Sequence, residues 1–271
     1  MGTETWGIAR VKDEADIIGP VVEHMLTQVD HVLIADNAST DGTREILAEL
    51  PVTLLDDSEV GYFQSRQMSA LAAQAADEGA AWVVPFDTDE WWYSPFGRIA
   101  DVLAEQSQAC IAGAQLFDHV ATGEDPDDPN PVTRIQWRRK DPAALPKVAA
   151  RARPAVTIHQ GNHGADHGQC VDGLLVVRHF PYRSVEQFVS KVRNGAAAYA
   201  ATDLPEHQGQ HWRDYGRLLE SGGPDALADV FRAWFWQPHP TRDLIRDPAP
   251  NGDLPGWTNP RDDDEDPEDD D

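Results

Sequence analysis

The sequence predicts an α/β fold in which a mainly parallel central sheet is flanked by helices and followed by a helical C-terminal region. Short apolar runs typical of buried strands alternate with segments of helical periodicity through the first hundred residues. This alternation predicts parallel strands joined by right-handed crossovers. The chain has 271 residues, enough for one such domain with an appendage.

The first part of the chain supplies the elements on which this prediction depends. Strand-like runs occur at residues 5–11, 31–36, 52–56 and 81–86. Helical segments lie between and after them, at residues 15–27, from the turn at 37–43 through 50, at 61–78 and at 97–106. Each of these strands is therefore followed by a helix.

Beyond residue 106 the regular alternation stops. Further strands are predicted in a mixed sheet, with a Pro- and Asp-rich loop at 121–131, and they fall at residues 110–120, 132–138, 156–159 and 174–179. Ser184 and Gln187 have capping-box spacing and predict a helix start, and another helix is predicted at 224–236. We expect a domain at 1–183, a helical extension packed on it at 184–245, and a disordered Pro- and Asp-rich tail at 246–271.

Composition argues against several classes of partner. The formal net charge is −25, and it is still −16 without the nine acidic residues among the last ten. Such a chain is not suited to nucleic acid or to an anionic membrane. No apolar run reaches the roughly 18 residues of a membrane helix, and the N-terminus has no signal-peptide pattern. Two cysteines, Cys110 and Cys170, form no disulfide framework, so we expect a cytoplasmic protein.

A buried strand runs into three carboxylates at Asp87, Asp89 and Glu90. The carboxyl end of a strand is where open α/β folds bind ligands. A turn would let Asp87 and Asp89 converge on one Mg²⁺ or Mn²⁺ ion, which takes one or two protein carboxylates together with substrate phosphate oxygens. The alternative is a solvated acidic turn. The aromatic residues that follow are expected to form a floor for a sugar or a base, and they are Trp91, Trp92 and Tyr93.

A second polar turn, residues 36–43, follows another strand and precedes a helix. Carboxylates at this place can accept hydrogen bonds from ribose hydroxyls or base nitrogens, and Ser39 or Thr40 can cap the helix. By itself, this is an ordinary strand-to-helix turn. The turn becomes a specific signal only in combination with two other motifs, residues 8–15 before it and residues 87–90 after it.

This ordered set resembles the family 2 glycosyltransferases, in particular a subgroup whose first strand ends in Lys-Asn/Asp-Glu and whose later motif is Asp-x-Asp-Glu-aromatic. The resemblance covers roughly the first hundred residues and, more loosely, residues 147–191. It implies a GT-A fold that binds a nucleotide-diphospho-sugar, a divalent cation (Mn²⁺ or Mg²⁺), and transfer of a sugar with inversion. The implied donor is a UDP-, GDP- or dTDP-sugar.

The resemblance also implies roles for particular residues. Asp87 would face the ribose, and Asp89 would bind the metal. Arg66 would lie near the base or the diphosphate. The nucleoside would be held by Arg10, Lys12, Glu14, Asp36 and Asp41. Asn37 departs from the family pattern, which often has a second Asp at this position for the contact with the base.

A histidine-rich segment at residues 159–170 offers two interpretations. Zinc is one, because His and Cys are its preferred ligands, and the segment holds His159, His163, His167 and Cys170. The resemblance implies another, in which a histidine downstream of the sheet is a further ligand of the divalent metal. His179 fits that pattern best, and His163 is second. A hydrogen-bonded core histidine is the simpler alternative for each.

An inverting transfer needs a base for the acceptor hydroxyl, and cations for the diphosphate. The candidate bases are Asp118, Asp166 and Glu90. The candidate cations are Arg151, Arg153, Arg183 and Lys191, each of which could equally be a surface salt-bridge partner. Two other functions stay open. A nucleotidyltransferase shares the architecture, although its Gly-rich signature is absent after the first strand. A non-catalytic nucleotide- or sugar-binding relative would keep the pocket and lose the base.

Overall fold

One mixed sheet of eight strands is the centre of the computed structural model, which describes residues 2–166 and 168–247. The strands of the described chain, in order, are β1 Glu4–Val11, β2 His31–Asp36, β3 Thr53–Asp56, β4 Ala80–Pro85, β5 Glu90–Tyr93, β6 Ile111–Asp118, β7 Ala121–Thr122, β8 Trp137–Arg139, β9 Lys147–Arg151, β10 Cys170–His179, β11 Trp236–Gln237 and β12 Leu244–Arg246.

The helices flank this sheet and follow it. They are α1 Ile18–Gln28, α2 Thr43–Ala48, α3 Gln64–Asp77, α4 Ile99–Ala104, α5 Pro131–Arg134, α6 Val185–Ala200 and α7 Gln210–Trp234, with a single 3-10 turn at Gln160–Asn162. In the large sheet the spatial order is β3-β2-β1-β4-β9-β6-β10-β5. Only β9 and β5 run antiparallel to their neighbours, so six strands end at the same edge of the sheet.

The predicted fold class, α/β with a mainly parallel sheet flanked by helices, is confirmed. Side chains of β4 alternate between two apolar clusters because successive side chains of a strand point to opposite faces. Val84 packs in the cluster that contains α1, whereas Val83 packs in the one that contains α3. Both faces of the sheet are therefore covered, as a largely parallel sheet requires.

Two strands of the sheet were not predicted. β9 completes the sheet between β4 and β6, and β5 adds an edge strand beside β10. The expected aromatic floor lies in β5, where Trp91, Trp92 and Tyr93 are all buried in the apolar core. That expectation is wrong, because the three rings are buried in the core and absent from the cleft lining, β5 packs on α1, and His24 stacks on Trp91 with ring centroids 3.9 Å apart.

Two predicted strands are replaced by other structure. Within residues 132–138, α5 comes first, since Pro131 begins the helix and the side chain of Asn130 accepts a hydrogen bond from the Val132 amide. Only from Trp137 does the chain become extended. Residues 156–159 contribute a single bridge between Ile158 and Ala165. Both segments were too short for their apolar content to separate a strand from a packed turn.

The helical extension forms a pair of helices with its own apolar cluster. Ser184 caps α6 by accepting a hydrogen bond from the Gln187 amide, as the spacing predicts. Phe188 and Val192 of α6 pack with Leu227 and Phe231 of α7. α7 is broken at Gly223, which has φ +69° and precedes Pro224, so the predicted helix at 224–236 is the second half of a longer one.

The described chain ends against the sheet domain. Asp247 accepts hydrogen bonds from Arg138 and from Arg178, next to the pairing of β12 with β8. Residues 248–271 of the predicted tail lie outside the described residues. Within residues 2–166 and 168–247, no helix has both the length and the apolar character needed to cross a membrane.

Candidate active site

A cleft of about 490 Å³ opens at the edge of the sheet where the parallel strands end. One side, here called the sheet wall, is formed by residues that end or follow β1, β2 and β4, namely residues 10–14, 37 and 87–89. The other side, the helix wall, comes from the end of β10 and from α6 and α7, and its lining residues are His179, Pro181, Tyr182, Lys191, Asn194, Gly195, Ala198, Tyr199, His211 and Trp212. The cleft therefore lies between the sheet domain and the helical extension.

Asp87 on the sheet wall is held by three side chains from different parts of the chain. Lys147 Nζ lies 2.6 Å from Asp87 Oδ2, while Gln64 and Asn162 each donate to Oδ1 at 3.1 Å. Lys147 also lies 2.7 Å from Glu90 Oε1, and the amide of Asp87 donates to Glu90 Oε2. Glu90 thus closes the turn of its own motif, and it is fully buried.

Asp89 is buried among three cations of the helix wall. Lys191 Nζ lies 2.5 Å from Asp89 Oδ2, His179 Nε2 lies 3.6 Å from Oδ1, and Arg183 Nη1 lies 3.9 Å from Oδ2. Burial by itself raises the pKa of Asp89, but the positive charges of Lys191 and His179 outweigh it and hold that pKa well below its usual range. Asp89 is therefore an ionised carboxylate inside the protein.

His179 connects Asp89 to Asp118. Its Nδ1 donates to Asp118 Oδ1 at 2.7 Å, which directs Nε2 towards Asp89. Burial lowers the pKa of His179, but the two carboxylates raise it to about 10. A carboxylate on one ring nitrogen is the arrangement by which proteins orient metal-ligating histidines, and a metal ion at Nε2 would replace the proton that this nitrogen otherwise carries.

These residues fit a divalent cation with two protein ligands. At ligand distances of about 2.1 Å, two ligands of one octahedral ion stand roughly 3–4 Å apart, and Asp89 Oδ1 and His179 Nε2 are separated by 3.6 Å. In the described part of the chain, no group of three or more His, Cys, Asp or Glu side chains is arranged to hold a metal ion. Further ligands would come from substrate oxygens and water, as is usual for Mg²⁺.

Arg183 joins the sheet wall to the start of α6. It is completely buried, and it pairs with Glu14 and with Asp16, the latter at 2.7 Å, while also donating to the Phe180 carbonyl. Burial raises the pKa of Glu14, against the opposing charge of Arg183. Glu14, predicted to contact the nucleoside, is thus engaged in a buried ion pair at the cleft.

Lys12 and Arg10 occupy the end of β1. Lys12 Nζ donates to the backbone carbonyls of Asn37 and Ala38, and Arg10 pairs with Asp57 at 2.5 Å. Asn37 donates to the carbonyls of residues 57 and 59, so its amide stabilises the loop after β3. Both predicted cations line the cleft.

Three of the predicted nucleoside contacts lie outside the residues that line the cleft. Asp36 is buried and accepts a weak hydrogen bond from the Ser39 amide. Asp41 accepts from the Ala15 amide and from Thr43, which stabilises its turn. Arg66 is 63% exposed and pairs with Glu59. Their positions support local structure, and their roles towards a nucleoside stay predictions.

Residues 9–149 match the profile of glycosyl transferase family 2. The chain belongs to glycosyl transferase family 2. The GT-A fold and the family that the motifs suggested are confirmed. A comparison with curated proteins finds no significant match.

Solved structures similar to this family 2 protein include two of low sequence identity. S. aureus TarS 1-349 is 12% identical, with 81% of this chain and 72% of that chain covered and a TM-score of 0.41. The mannosyltransferase PcManGT from Pyrobaculum calidifontis, in complex with GDP-Man and Mn²⁺, is 18% identical, with 84% and 74% covered and a TM-score of 0.38.

The candidate bases of this family 2 protein lie in different surroundings. Glu90 is buried inside its turn, as described above. Asp166 bonds to His159 at 2.7 Å and lines a separate small cavity with Arg151 and Arg153. Asp118 is 41% exposed and contacts His179, so among the three it alone combines exposure with a contact to the cleft lining.

The histidine-rich segment does not assemble a zinc site in the described residues. His159 bonds to Asp166, His163 donates to the Pro146 carbonyl, and Cys170 begins β10. His167 lies outside the described residues. His163 lines the cleft, as the metal prediction requires, but its contact is with a backbone carbonyl and not with Asp89.

Sequence reasoning missed several residues of the cleft of this family 2 protein. Lys147 and Asn162 hold Asp87 from strands and turns far along the chain, and Asn162 adopts φ +58° to do so. Tyr199 and Trp212 line the helix wall. A signal existed for Lys147, a lone lysine at the start of an apolar run; no local pattern singled out the others.

Proposed function

We propose that this family 2 glycosyltransferase moves a sugar from a nucleoside-diphosphate donor to an acceptor hydroxyl, with inversion and with Mn²⁺ or Mg²⁺ as cofactor. The observation that carries the proposal is the pair of Asp89, which follows β4, and His179, at the end of β10, with Asp118 hydrogen-bonded to the histidine. It lies in a cleft large enough for a nucleotide-sugar and lined by polar groups.

The residues of the cleft would bind different parts of the donor. Asp89 and His179 would hold the divalent ion, which when bound supplies positive charge for the leaving diphosphate. Asp87, fixed by Lys147 and Asn162, would accept a hydrogen bond from the ribose. Arg10 and Lys12 would face the nucleoside from the end of β1. Preorganised charges of this kind stabilise a transition state without reorganisation.

Asp118 is our proposed base for the acceptor hydroxyl. The hydrogen bond and the charge of His179 lower the pKa of Asp118 against the effect of burial, so the carboxylate is ionised at neutral pH. One of its oxygens binds His179 Nδ1, and the side chain remains partly exposed. Asp118→Asn should abolish transfer while donor binding persists. Loss of donor binding together with transfer would instead indicate that Asp118 only orients His179.

Donor binding is the first test. UDP, GDP and dTDP are titrated calorimetrically and in thermal-shift assays, with Mn²⁺, with Mg²⁺ and with EDTA. At least one should raise the melting temperature by mass action, more strongly with metal. Asp89→Ala should remove the effect of the metal, whereas Asp101→Ala, on the exposed side of α4, should not. The proposal fails if no nucleoside diphosphate binds the wild-type protein.

Product analysis separates the remaining functions. With UDP-, GDP- and dTDP-sugars and a mixture of acceptors, a glycosyltransferase releases nucleoside diphosphate. Pyrophosphate from a nucleoside triphosphate and a sugar phosphate would identify a nucleotidyltransferase. Binding without turnover would identify a non-catalytic relative, a candidate favoured by the position of all three candidate bases, Glu90, Asp118 and Asp166, outside the residues that line the cleft. The anomeric configuration of the product, measured by NMR, tests inversion.

A further inference from the structure

Lys191 lies on α6, in the helical extension, and contacts the sheet wall across the cleft. Its Nζ donates to Asp89 Oδ2 at 2.5 Å and to the Pro181 carbonyl at 3.2 Å. An ammonium group has three N–H donors, so these two partners leave one. Because Lys191 lines the cleft and its side chain is 23% exposed, that donor is available to a ligand there.

Most other cations near Asp87 and Asp89 are committed to carboxylates of the protein. Lys147 is shared by Asp87 and Glu90, and Arg183 is completely buried between Glu14 and Asp16. Arg10 pairs with Asp57.

Two of the four cations considered for the diphosphate lie elsewhere. Arg151 and Arg153 line the separate cavity that also contains Asp166. Lys12 binds backbone carbonyls at the end of β2, on the nucleoside side of the cleft. Among the described residues, Lys191 is therefore the lysine that is both next to Asp89 and partly open to the cleft.

Lys191 faces the carboxylates of the sheet wall. Its Nζ lies 2.5 Å from Asp89 Oδ2, on the side of the cleft opposite to β1 and β4. A diphosphate in the cleft would meet four carboxylates of the sheet wall, Asp13, Glu14, Asp87 and Asp89, so it needs a cation from the opposite side.

We propose that Lys191 is a donor-site residue that hydrogen-bonds the diphosphate of the donor and stays with it as the sugar leaves. The inference rests on the proposed glycosyl transfer. The bond from the anomeric carbon to the diphosphate oxygen breaks, and its electron pair remains on that oxygen. The acceptor oxygen forms the new bond and gives its proton to the base. Lys191 transfers no proton; its charge stabilises the oxygen that becomes negative.

The test compares the binding of a nucleoside diphosphate with that of the same nucleoside without its diphosphate. Lys191→Gln and Lys191→Arg are compared with Lys140→Gln, which changes an exposed lysine outside the cleft lining. Calorimetry measures the affinity of each for the best of UDP, GDP and dTDP and for the matching nucleoside, with Mn²⁺ and again in EDTA.

Lys191→Gln should weaken the binding of the nucleoside diphosphate about 10- to 100-fold, which is the contribution of a hydrogen bond to a charged group. The affinity for the nucleoside should not change. Lys191→Arg should retain most of the affinity, and Lys140→Gln all of it. Equal loss for diphosphate and nucleoside would overturn the assignment in favour of a structural role, and so would no loss at all. Absence of binding to the wild-type protein would overturn the proposed function itself.

Discussion

The two walls of the cleft differ in charge and in origin. The sheet wall presents carboxylates from the ends of β1 and β4, within the first ninety residues of the chain. The helix wall supplies the cations that compensate them, from a segment about a hundred residues later. Buried carboxylates are costly unless they are paired. Neither wall would therefore be stable alone in its observed form, and the helical extension is part of the site.

The polar contacts that tie the walls together include three that differ in burial. Arg183 pairs with Glu14 and Asp16, Lys191 binds Asp89, and Asn194 donates to Asp13 Oδ2 at 2.8 Å. These contacts differ in burial, from the fully buried Arg183 to the partly exposed Asn194. Their removal should therefore have graded effects.

Arg183→Met should have the largest effect on stability. It leaves Glu14 and Asp16 without their shared cation, and breaking a buried ion pair from one side costs about 3–5 kcal/mol. Urea denaturation measures the free energy of unfolding. Arg193→Met removes an arginine from the exposed side of α6 and should cost less than about 0.5 kcal/mol. A loss below about 1 kcal/mol for Arg183→Met would contradict the link between the walls.

The free energy of unfolding should depend on pH through His24, a buried histidine of α1. His24 donates to the Trp92 carbonyl, and burial lowers the pKa of His24 from 6.5 to about 4. The unfolded chain therefore binds a proton that the folded protein excludes between pH 6.5 and pH 4. Stability from this group is present above pH 6.5 and falls by about 3 kcal/mol as the pH is lowered to 4.

His24→Gln should make the pH dependence of unfolding shallower in that window, whereas His207→Gln, at an exposed position, should leave the slope unchanged. Chemical denaturation at several pH values between 4 and 7 measures the slope. Equal slopes for wild type and His24→Gln would mean that the histidine titrates alike in the folded and unfolded states.

Asn194 and Asp13 form the weakest of the three contacts between the walls. A double-mutant cycle with Asn194→Ala and Asp13→Ala should give a coupling energy of about 1 kcal/mol, because a partly exposed hydrogen bond to a carboxylate is worth no more. Additive effects would show that the two side chains do not stabilise each other in solution. Asp13 has φ +51°, so substitution there also tests a strained position of the sheet wall.

Arg66→Ala should have the smallest effect. Arg66 is exposed, pairs with Glu59 at the surface and lies outside the cleft lining. Both the free energy of unfolding and the affinity for nucleoside diphosphate should change by less than about 0.5 kcal/mol. The comparison variant is Arg10→Ala, which removes a cation from the cleft and should lower the affinity for the nucleoside diphosphate. A large loss of affinity in Arg66→Ala would show instead that Arg66 contacts the nucleotide.

The sequence was informative where function and local structure coincide. A strand followed within a few residues by a polar turn identified the sheet wall, including Lys12, Glu14, Asp87 and Asp89. It was less informative for Asp36, Asp41 and Arg66, because the same residue types also cap helices and form surface pairs. Glu90 belongs to the motif in sequence, yet its side chain turns inward to Lys147.

By itself, then, the sequence determined the α/β class, the family and the carboxylates at the strand ends, because strand periodicity and turn residues are local properties. Only the tertiary structure decided which groups meet those carboxylates. Lys147, Asn162, Arg183 and Lys191 lie between 57 and 169 residues from their partners, and their contacts depend on strand order and on the packing of α6 against the sheet domain. Long-range ion pairs leave no spacing pattern along the chain, so the carboxylate that each cation meets could not be assigned before the fold was known.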